Sequence, residues 1–381
     1  MATGPATAPH VEARAWALID ARTGEVLTSH AGAQRLPIAS TTKLMTAYVA
    51  LQELPLDKVV RAAPYKATYG ESLLGLRPGQ RISVRDLLYG LILRSGNDAA
   101  YDLARAAAGS EAGFVRQMNL RSAALGLADT HYANPIGLDQ RGNYSSARDL
   151  ATLTQRLLRI PAFARIAASR SARLRSVHPP RTITTINELL RMAPWVNGVK
   201  TGHTFGAHYV LVGSGRRKGV ELISVAIGAP TDEDRYTDNL ELLDYGFSQY
   251  RARLPIRAGQ DLAEPSIRYS GGQLPLRAAR AVPVGLRRGQ RLSFDVRAPD
   301  EVEGPLRRGA VLGHATVLVD GLPAGSVALQ AGRSIPAAGA FDRARSFVRD
   351  NAIFIALALF VILVGAVLMW RLLRRRVRGA T

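Results

Sequence analysis

The stretch Pro37-Ile38-Ala39-Ser40-Thr41-Thr42-Lys43 places a serine and a lysine three residues apart, just before a helical pattern. Apolar residues at helical spacing follow it and predict an amphipathic helix: Leu44, Met45, Tyr48 and Val49. Ser40 would lie in the first turn of this helix and Lys43 one turn later on the same face, so the amine can reach the hydroxyl. The amides and dipole of the helix N-terminus would also favour an oxyanion. Taken alone, the spacing also fits a helix cap with a surface lysine.

Two more short motifs follow farther along the chain. Ser95-Gly96-Asn97 falls in a predicted helix-to-helix loop, because helical periodicity ends near Arg94 and resumes afterwards. Lys200-Thr201-Gly202 falls on a predicted strand, after Val196 and Val199. The two serines are 55 residues apart, and the second lysine follows after another 105. Motifs in this order resemble those of active-site serine enzymes that bind penicillin. Together the three motifs predict one site built from distant stretches of chain.

Lysine is scarce in this chain. Of the 50 basic residues only five are lysines, and two of these are Lys43 and Lys200. Arginine does not release a proton near neutral pH, whereas a desolvated lysine does. Lysine at both motif positions therefore agrees with a general base in the site.

The composition excludes several classes of protein. The 381 residues leave room for two soluble domains and a membrane segment. The absence of cysteine excludes thiol nucleophiles, cysteine zinc sites and disulfide frameworks. The net charge of +20 comes from arginines spread along the chain, and aromatic residues make up only 6%, which argues against nucleic-acid binding. The histidines show no metal-ligand spacing and no HExxH motif occurs, so we expect neither a metal nor a cofactor.

The first two thirds of the chain, residues 1–254, are predicted to form an α+β domain. Residues 15–20 and 26–28 flank a glycine turn and predict a hairpin. A second hairpin is predicted from strands at 209–212 and 222–227, with a turn at 213–219. Because helices lie between the two hairpins, we expect an antiparallel sheet whose terminal strands meet, flanked by helices.

The rest of the chain has a different character. Short apolar stretches separated by glycine and proline predict a small all-β domain at residues 255–331. Its predicted strands lie at 291–296, 310–312 and 314–319. Residues 332–351, which begin with a stretch rich in glycine, alanine and proline, would form a linker.

A membrane anchor is predicted at the C-terminus. Residues 352–370 are uncharged, which suffices for one transmembrane helix, and the basic tail 371–381 would be cytoplasmic. A single span would then place the part of the chain before it outside the cytoplasm. Residues 1–11 have no apolar stretch of the length of a secretory signal. Either this sequence omits an export signal, which we favour, or the topology differs.

On these motifs the sequence resembles the low-molecular-mass penicillin-binding proteins, specifically the serine-type D-alanyl-D-alanine carboxypeptidases. The resemblance covers about residues 12–250 and implies a serine β-lactamase/DD-peptidase-like fold. Further segments carry it: Arg35-Leu36-Pro37-Ile38-Ala39-Ser40, Leu93-Arg94-Ser95-Gly96-Asn97-Asp98-Ala99, Asn134-Pro135-Ile136-Gly137-Leu138, Ser145-Ser146-Ala147-Arg148-Asp149 and Gly198-Val199-Lys200-Thr201-Gly202-His203-Thr204. Residues 305–319 resemble the β domain of many members. The chain departs from the family at Ile136, where histidine is usual, and in having a full span in place of an amphipathic anchor.

The resemblance implies three catalytic residues. Ser40 would be the acylated nucleophile and Lys43 its general base. Ser95 would relay a proton to the departing D-alanine, and Lys200 would keep that relay electropositive. Asn97 would hold the substrate amide.

The same resemblance implies how the substrate terminus is bound. Thr201, on the strand that continues through Gly202, would bind the terminal carboxylate, helped by Arg235. The backbone amides of Ser40 and His203 would form the oxyanion hole. For Arg235, a surface salt bridge with Asp232 or Asp238 is an equally good interpretation.

The implied substrate is a peptidoglycan pentapeptide that ends in D-Ala-D-Ala, with β-lactam antibiotics as covalent inhibitors. A serine β-lactamase shares the three motifs but deacylates with a glutamate, and no ExxLN segment occurs between Ser95 and Lys200. A transpeptidase, a DD-endopeptidase and a catalytically silent module that binds peptidoglycan also fit this sequence.

Overall fold

The computed structural model describes residues 8–269 and 271–378. Contacts within the chain divide it into two compact units. The first unit runs to Arg253 and includes Val284–Gly289, although 284–289 were predicted to belong to the β domain. The second unit comprises Leu254–Pro283 and the chain from Gln290 onward. Parts of the predicted N-terminal segment (1–7) and basic tail (379–381) lie outside the described residues.

The first unit contains eight α-helices among its described residues. They are α1 (Lys43–Glu53), α2 (Val84–Leu93), α3 (Asn97–Ala108), α4 (Glu111–Ala124), α5 (Ala147–Leu158), α6 (Pro161–Ala167), α7 (Leu189–Met192) and α8 (Asp234–Ser248). The strands are β1 (Ala15–Asp20), β2 (Val26–His30), β3 (Val59–Arg61), β4 (Arg81–Ser83), β5 (Ser171–Leu174), β6 (Arg181–Thr184), β7 (Val196–Thr204), β8 (His208–Arg217) and β9 (Val220–Ala229).

The central sheet has five antiparallel strands in the order β2-β1-β9-β8-β7. β1 pairs with β9 from Ala15–Ile227 to Asp20–Leu222, so the first and last hairpins of the domain meet. The predicted antiparallel sheet with adjoining terminal strands is therefore confirmed. β7, which carries the third motif, is the last strand at one edge.

Helices cover both faces of this sheet. Side chains on each strand alternate between the faces, and apolar side chains on both faces are buried by packing against helices. Ala17 and Ile19 of β1 belong to one buried cluster with Leu150 of α5. Leu18 belongs to a second cluster with Leu243 of α8. The larger cluster also includes residues of α1, α2 and α3. The helices that carry the first two motifs therefore share one core with the sheet.

The predicted turn at 213–219 is wrong over most of its length, because β8 continues to Arg217. A methyl group on Gly213 would come within 2.8 Å of the side chains of Ser224 and Asn239. Glycine here provides room for close packing within a strand, which the sequence pattern does not distinguish from a turn. The chain reverses at Lys218 and Gly219, whose φ angles are 53° and 76°.

The second unit contains an antiparallel sheet in the order β11-β13-β18-β17-β15. The strands of the rest of the chain are β10 (Arg251–Ile256), β11 (Asp261–Ala263), β12 (Ser266–Ile267), β13 (Leu276–Ala278), β14 (Val282–Leu286), β15 (Leu292–Arg297), β16 (Glu301–Val302), β17 (Val311–Val319) and β18 (Leu322–Ala331). The strands predicted at 291–296 and 314–319 lie in β15 and β17. The stretch at 310–312 also joins β17 from Val311 onward and forms no strand of its own.

Two helices end the chain. α9 (Ala340–Asp350) occupies part of the predicted linker, and α10 spans Ala352–Arg378. The segment Ala352–Trp370 of α10 has a mean hydropathy of 3.1 and is exposed. Among the described residues it is the one helix long and apolar enough to cross a membrane.

Candidate active site

The first motif lies where a tight turn runs into α1. Ser40 belongs to a single 3₁₀ turn (Ala39–Thr42), one turn earlier than predicted, and Lys43 is the first residue of α1. Lys43 Nζ lies 2.9 Å from Ser40 Oγ, within hydrogen-bond distance. Ala39 has a φ of 47°, an uncommon value for a residue with a side chain. The turn therefore presents the hydroxyl to the lysine amine.

The Lys43 side chain is fully buried. Its amine also donates to the backbone carbonyl of Ile136 at 2.5 Å. Burial lowers the pKa of Lys43 to about 7, although the negative charges of Glu71 and Asp98 oppose this shift. A large fraction of the amine is therefore neutral near pH 7 and able to accept a proton.

The loop that supplies the Ile136 carbonyl is organised by Asn134. The Oδ1 atom of Asn134 accepts from the backbone N–H of Ile136 at 3.2 Å and of Gly137 at 2.6 Å. Gly137 has a φ of 91°, and a methyl group there would come within 2.1 Å of the Ala39 carbonyl oxygen. Asn134 thus acts as loop scaffold. Sequence reasoning missed the Ile136 contact because a backbone acceptor leaves no signal in the residue type.

The second and third motifs meet through their side chains. Lys200 Nζ lies 3.0 Å from Ser95 Oγ and donates to the Thr201 carbonyl at 2.7 Å. Lys200 is fully buried, and burial lowers its pKa well below the usual value, helped by the positive charges of Lys43 and Arg235. Ser95 lies in the loop between α2 and α3, as predicted, with a φ of 59°.

Asn97 is the first residue of α3 and is buried. Its Nδ2 donates to Glu71 Oε2 at 2.7 Å. Glu71 lies in the loop between β3 and β4, 24 residues before the second motif. No residue pattern around Glu71 marked it in the sequence.

β7 passes directly against the Ser40 turn. A methyl group on Gly202 would come within 3.1 Å of the Ser40 backbone nitrogen. The buried side chain of Thr201 precedes Gly202 on this strand, and the exposed His203 follows it, with its imidazole stacked on Tyr209 at 4.2 Å. All three motifs therefore meet at one place.

Arg235, near the start of α8, reaches the same strand. It donates to the Gly202 carbonyl at 3.2 Å and forms an ion pair with Asp232. Asp238 instead accepts from the backbone N–H groups of Glu12 and Ala13. Arg235 therefore lies beside the third motif, as the resemblance implies, and also forms the salt bridge with Asp232. Among the described residues no cluster of His, Asp and Glu suits a metal ion.

This geometry is that of an enzyme with a serine nucleophile. A hydroxyl hydrogen-bonded to a partly neutral, buried amine can lose its proton as it attacks a carbonyl carbon. A second serine, hydrogen-bonded to a second lysine, lies on the same site. The arrangement defines an active-site serine hydrolase or transferase.

Comparison with known proteins narrows this class. A model of peptidase family S11, described as D-alanyl-D-alanine carboxypeptidase, matches residues 2–231. D-alanyl-D-alanine carboxypeptidase DacC of Escherichia coli is 33% identical over 90% of this chain and 88% of its own. Penicillin binding protein 5 from Haemophilus influenzae superposes with a TM-score of 0.61 at 29% identity, over 87% of this chain and 99% of its own. A mutant of the Streptomyces K15 DD-transpeptidase gives 0.60 at 30% identity, over 63% and 100%.

The family match covers more than half of the chain, so the chain belongs to the D-alanyl-D-alanine carboxypeptidase family S11. It is a serine peptidase, and the fold predicted from the motifs is confirmed.

The Gly137 contact yields a prediction about activity. Gly137→Ala adds a methyl group with no room beside Ala39, so the loop must move and carry the Ile136 carbonyl away from Lys43. A misplacement of about 1 Å in an active site costs about 100-fold in rate, so we expect a loss of about that size in peptidase kcat/KM. Gly142→Ala is the matched control, since Gly142 also has a positive φ (87°) but its nearest atom is 3.6 Å away. Equal losses in both variants would refute this role for Gly137.

Proposed function

We propose that this chain is a membrane-anchored serine carboxypeptidase that removes the terminal D-alanine from peptidoglycan stem peptides ending in D-Ala-D-Ala. The reaction proceeds through an acyl-enzyme on Ser40, and β-lactam antibiotics inhibit the enzyme by acylating the same oxygen. The observation that carries this proposal is the 2.9 Å contact between Ser40 Oγ and the buried Lys43 amine. The names of the relatives in the family support the substrate class.

Acylation begins when Ser40 Oγ attacks the carbonyl carbon of the penultimate D-alanine. Lys43 accepts the hydroxyl proton as the C–O bond forms, and backbone amides of Ser40 and His203 stabilise the oxyanion. Ser95 passes a proton to the nitrogen of the departing D-alanine as the C–N bond breaks and is reprotonated by the proton that Lys43 took up. Water then attacks the ester carbonyl and gives a proton to Lys43, which returns it to Ser40 Oγ as the ester C–O bond breaks. The contact between Ser95 and Lys200 supports this relay, because the buried Lys200 amine donates a hydrogen bond to the Ser95 hydroxyl inside the site.

The substrate carboxylate would lie along β7. Thr201 would hydrogen-bond it, while Arg235 supplies positive charge. Gly202 leaves space between the strand and the Ser40 turn, and Asn97 holds the substrate amide. The ion pair with Asp232 would keep the Arg235 guanidinium oriented next to the Gly202 carbonyl.

A transpeptidase is the second candidate, favoured by the similarity to the Streptomyces K15 DD-transpeptidase. It uses the same acyl-enzyme but transfers the acyl group to an amine instead of water. Release of D-alanine with and without an added amine acceptor separates the two reactions.

The proposed domain layout follows the predicted one: a catalytic domain at residues 1–254, a β domain at 255–331, a linker at 332–351, a membrane helix at 352–370 and a tail at 371–381. The exposed apolar surface of Ala352–Trp370 supports the membrane helix. The basic residues after it support a cytoplasmic tail and an extracytoplasmic catalytic domain.

Covalent labelling tests the proposed nucleophile. A fluorescent penicillin should add one label per chain, located on Ser40 by mass spectrometry, and Ser40→Ala should abolish it. Lys43→Arg should slow acylation at least about 1,000-fold, because a permanent cation accepts no proton. Lys58→Arg, at an exposed lysine, is the control and should react normally. Labelling that survives in Ser40→Ala would rule out this nucleophile.

The pKa of Lys43 predicts how acylation depends on pH. The neutral amine is the reactive form, so the acylation rate constant should rise with pH up to about 7 and level off above it. Below this value it should fall about tenfold for each unit of pH. Stopped-flow measurement from pH 5 to 9 checks this. A rate that stays constant from pH 5 to 8 would contradict a lysine base.

Membrane anchoring is tested by carbonate extraction of the full chain expressed in bacteria. Wild type should remain with the membranes. The double variant Leu359→Arg, Leu363→Arg should move to the soluble fraction, since each central arginine costs about 2.5–3.5 kcal/mol of insertion free energy. Isoleucine at both positions is the control. Extraction of the wild type would show that the helix does not span the bilayer.

A further inference from the structure

One side of the site is formed by a long loop between β3 and β4, residues 62–80, which we call the cleft loop. It contains neither helix nor strand, yet α3 holds it at several points. Asp98 accepts from the backbone N–H groups of three consecutive loop residues, and Asp102 accepts from that of Ala63 at 2.9 Å. The Tyr65 and Tyr101 rings pack with centroids 5.5 Å apart. The cleft loop is therefore fixed to the helix that begins with the second motif.

Glu71 is the cleft-loop side chain that bonds to a motif residue. Its Oε2 accepts from Tyr65 Oη at 2.5 Å and from Asn97 Nδ2 at 2.7 Å. Its Oε1 accepts from the backbone N–H of Thr68 at 2.9 Å and from the Thr68 hydroxyl at 2.7 Å. Two donors on each oxygen fill the capacity of a carboxylate.

The charge state of Glu71 follows from these bonds. Burial by itself would raise its pKa, but the hydrogen bonds from Tyr65, Asn97 and Thr68 outweigh burial and lower the pKa to about 2. Glu71 is therefore ionised at neutral pH. It acts only as an acceptor, and its lone pairs are already used.

The ionised Glu71 carboxylate determines which way the Asn97 amide faces. A side-chain amide has a donor end and an acceptor end of nearly the same shape, and its neighbours decide which way it faces. An acceptor-only carboxylate requires the NH2 group, because the reversed amide would bring two acceptor oxygens together. The NH2 group of Asn97 must therefore face Glu71, and its Oδ1 must lie on the other side.

We propose that Glu71 is a positioning residue that fixes the amide orientation of Asn97 and thereby favours substrates with an amide next to the bond that is broken. This inference rests on the proposed role of Asn97 in holding the substrate amide. Because the orientation is set before substrate binds, no binding energy is lost in turning the side chain. Peptides and acylamino β-lactams carry such an amide, whereas β-lactams with a free amine at that position do not.

Two penicillins that differ in this group test the proposal on the full-length protein. Benzylpenicillin carries the side-chain amide, and 6-aminopenicillanic acid has an amine in its place. Glu71→Gln keeps the size of the side chain but can donate as well as accept, so the Asn97 amide is free to reverse. Both rate constants are measured at about pH 9, where Lys43 is neutral with or without the Glu71 charge that raises its pKa. The acylation rate constant for benzylpenicillin should fall about tenfold, as expected for one misplaced hydrogen bond. The constant for 6-aminopenicillanic acid should change less than about twofold.

Further variants separate positioning from structural support. Asn97→Ala should lose a similar factor with benzylpenicillin, and adding Glu71→Gln to it should cost nothing more. Glu71→Asp keeps an acceptor-only group and should restore part of the discrimination between the two penicillins. Glu53→Gln, which breaks an exposed ion pair with Arg121 at the other end of α1, is the control and should match wild type. Thermal unfolding of each variant reports on folding.

Each remaining outcome has a defined meaning. An equal loss with both penicillins would show that Glu71 only supports the cleft loop and would overturn the proposal. Normal acylation followed by an acyl-enzyme that persists would assign Glu71 to deacylation and would also overturn it. If wild type forms no acyl-enzyme with either compound, the proposed function itself fails. An acylation rate constant for benzylpenicillin that is unchanged in Glu71→Gln would overturn only the role proposed for Glu71.

Discussion

Two buried lysine amines, each hydrogen-bonded to a serine hydroxyl, constrain this catalytic domain. An unpaired ammonium group inside a protein is costly, so it either finds acceptors or loses its proton. Lys43 and Lys200 do both: backbone carbonyls of Ile136 and Thr201 accept from them, and burial lowers both pKa values. The structure that buries the amines is therefore also the structure that makes them reactive.

The two amines also influence each other. A proton on Lys43 disfavours a proton on Lys200, because two positive charges share one buried site.

The backbone next to Ser40 and at Ser95 is held in an uncommon conformation, with positive φ at Ala39 and Ser95. Such residues typically cost about 1–3 kcal/mol each and persist only where the surroundings determine them. At Ala39 the packing of β7 and of the 134–138 loop against the Ser40 turn supplies that constraint.

Local patterns predicted the parts of the site that local geometry determines. The spacing of Ser40 and Lys43 fits one turn of helix, and Lys200 lies on the strand that was predicted after Val196 and Val199. Contacts that involve the backbone or a distant loop had no such signal, which is why Ile136 and Glu71 were missed. Gly213 and Gly215 favour a turn in the sequence pattern. Glycine occurs both where the backbone must turn and where neighbouring atoms pack closely, and the residue type does not distinguish the two. Arg235 could be placed beside the motif only once α8 was packed on the sheet.

β7 is the last strand of its sheet among the described residues, so one side of the segment around Thr201 has no neighbouring strand. A peptide laid along that side would be held through main-chain groups, which every residue shares. Enzymes that read the backbone in this way tolerate variation in the side chains of their substrates. Selectivity among substrates would then depend on the loops around the strand more than on the strand itself.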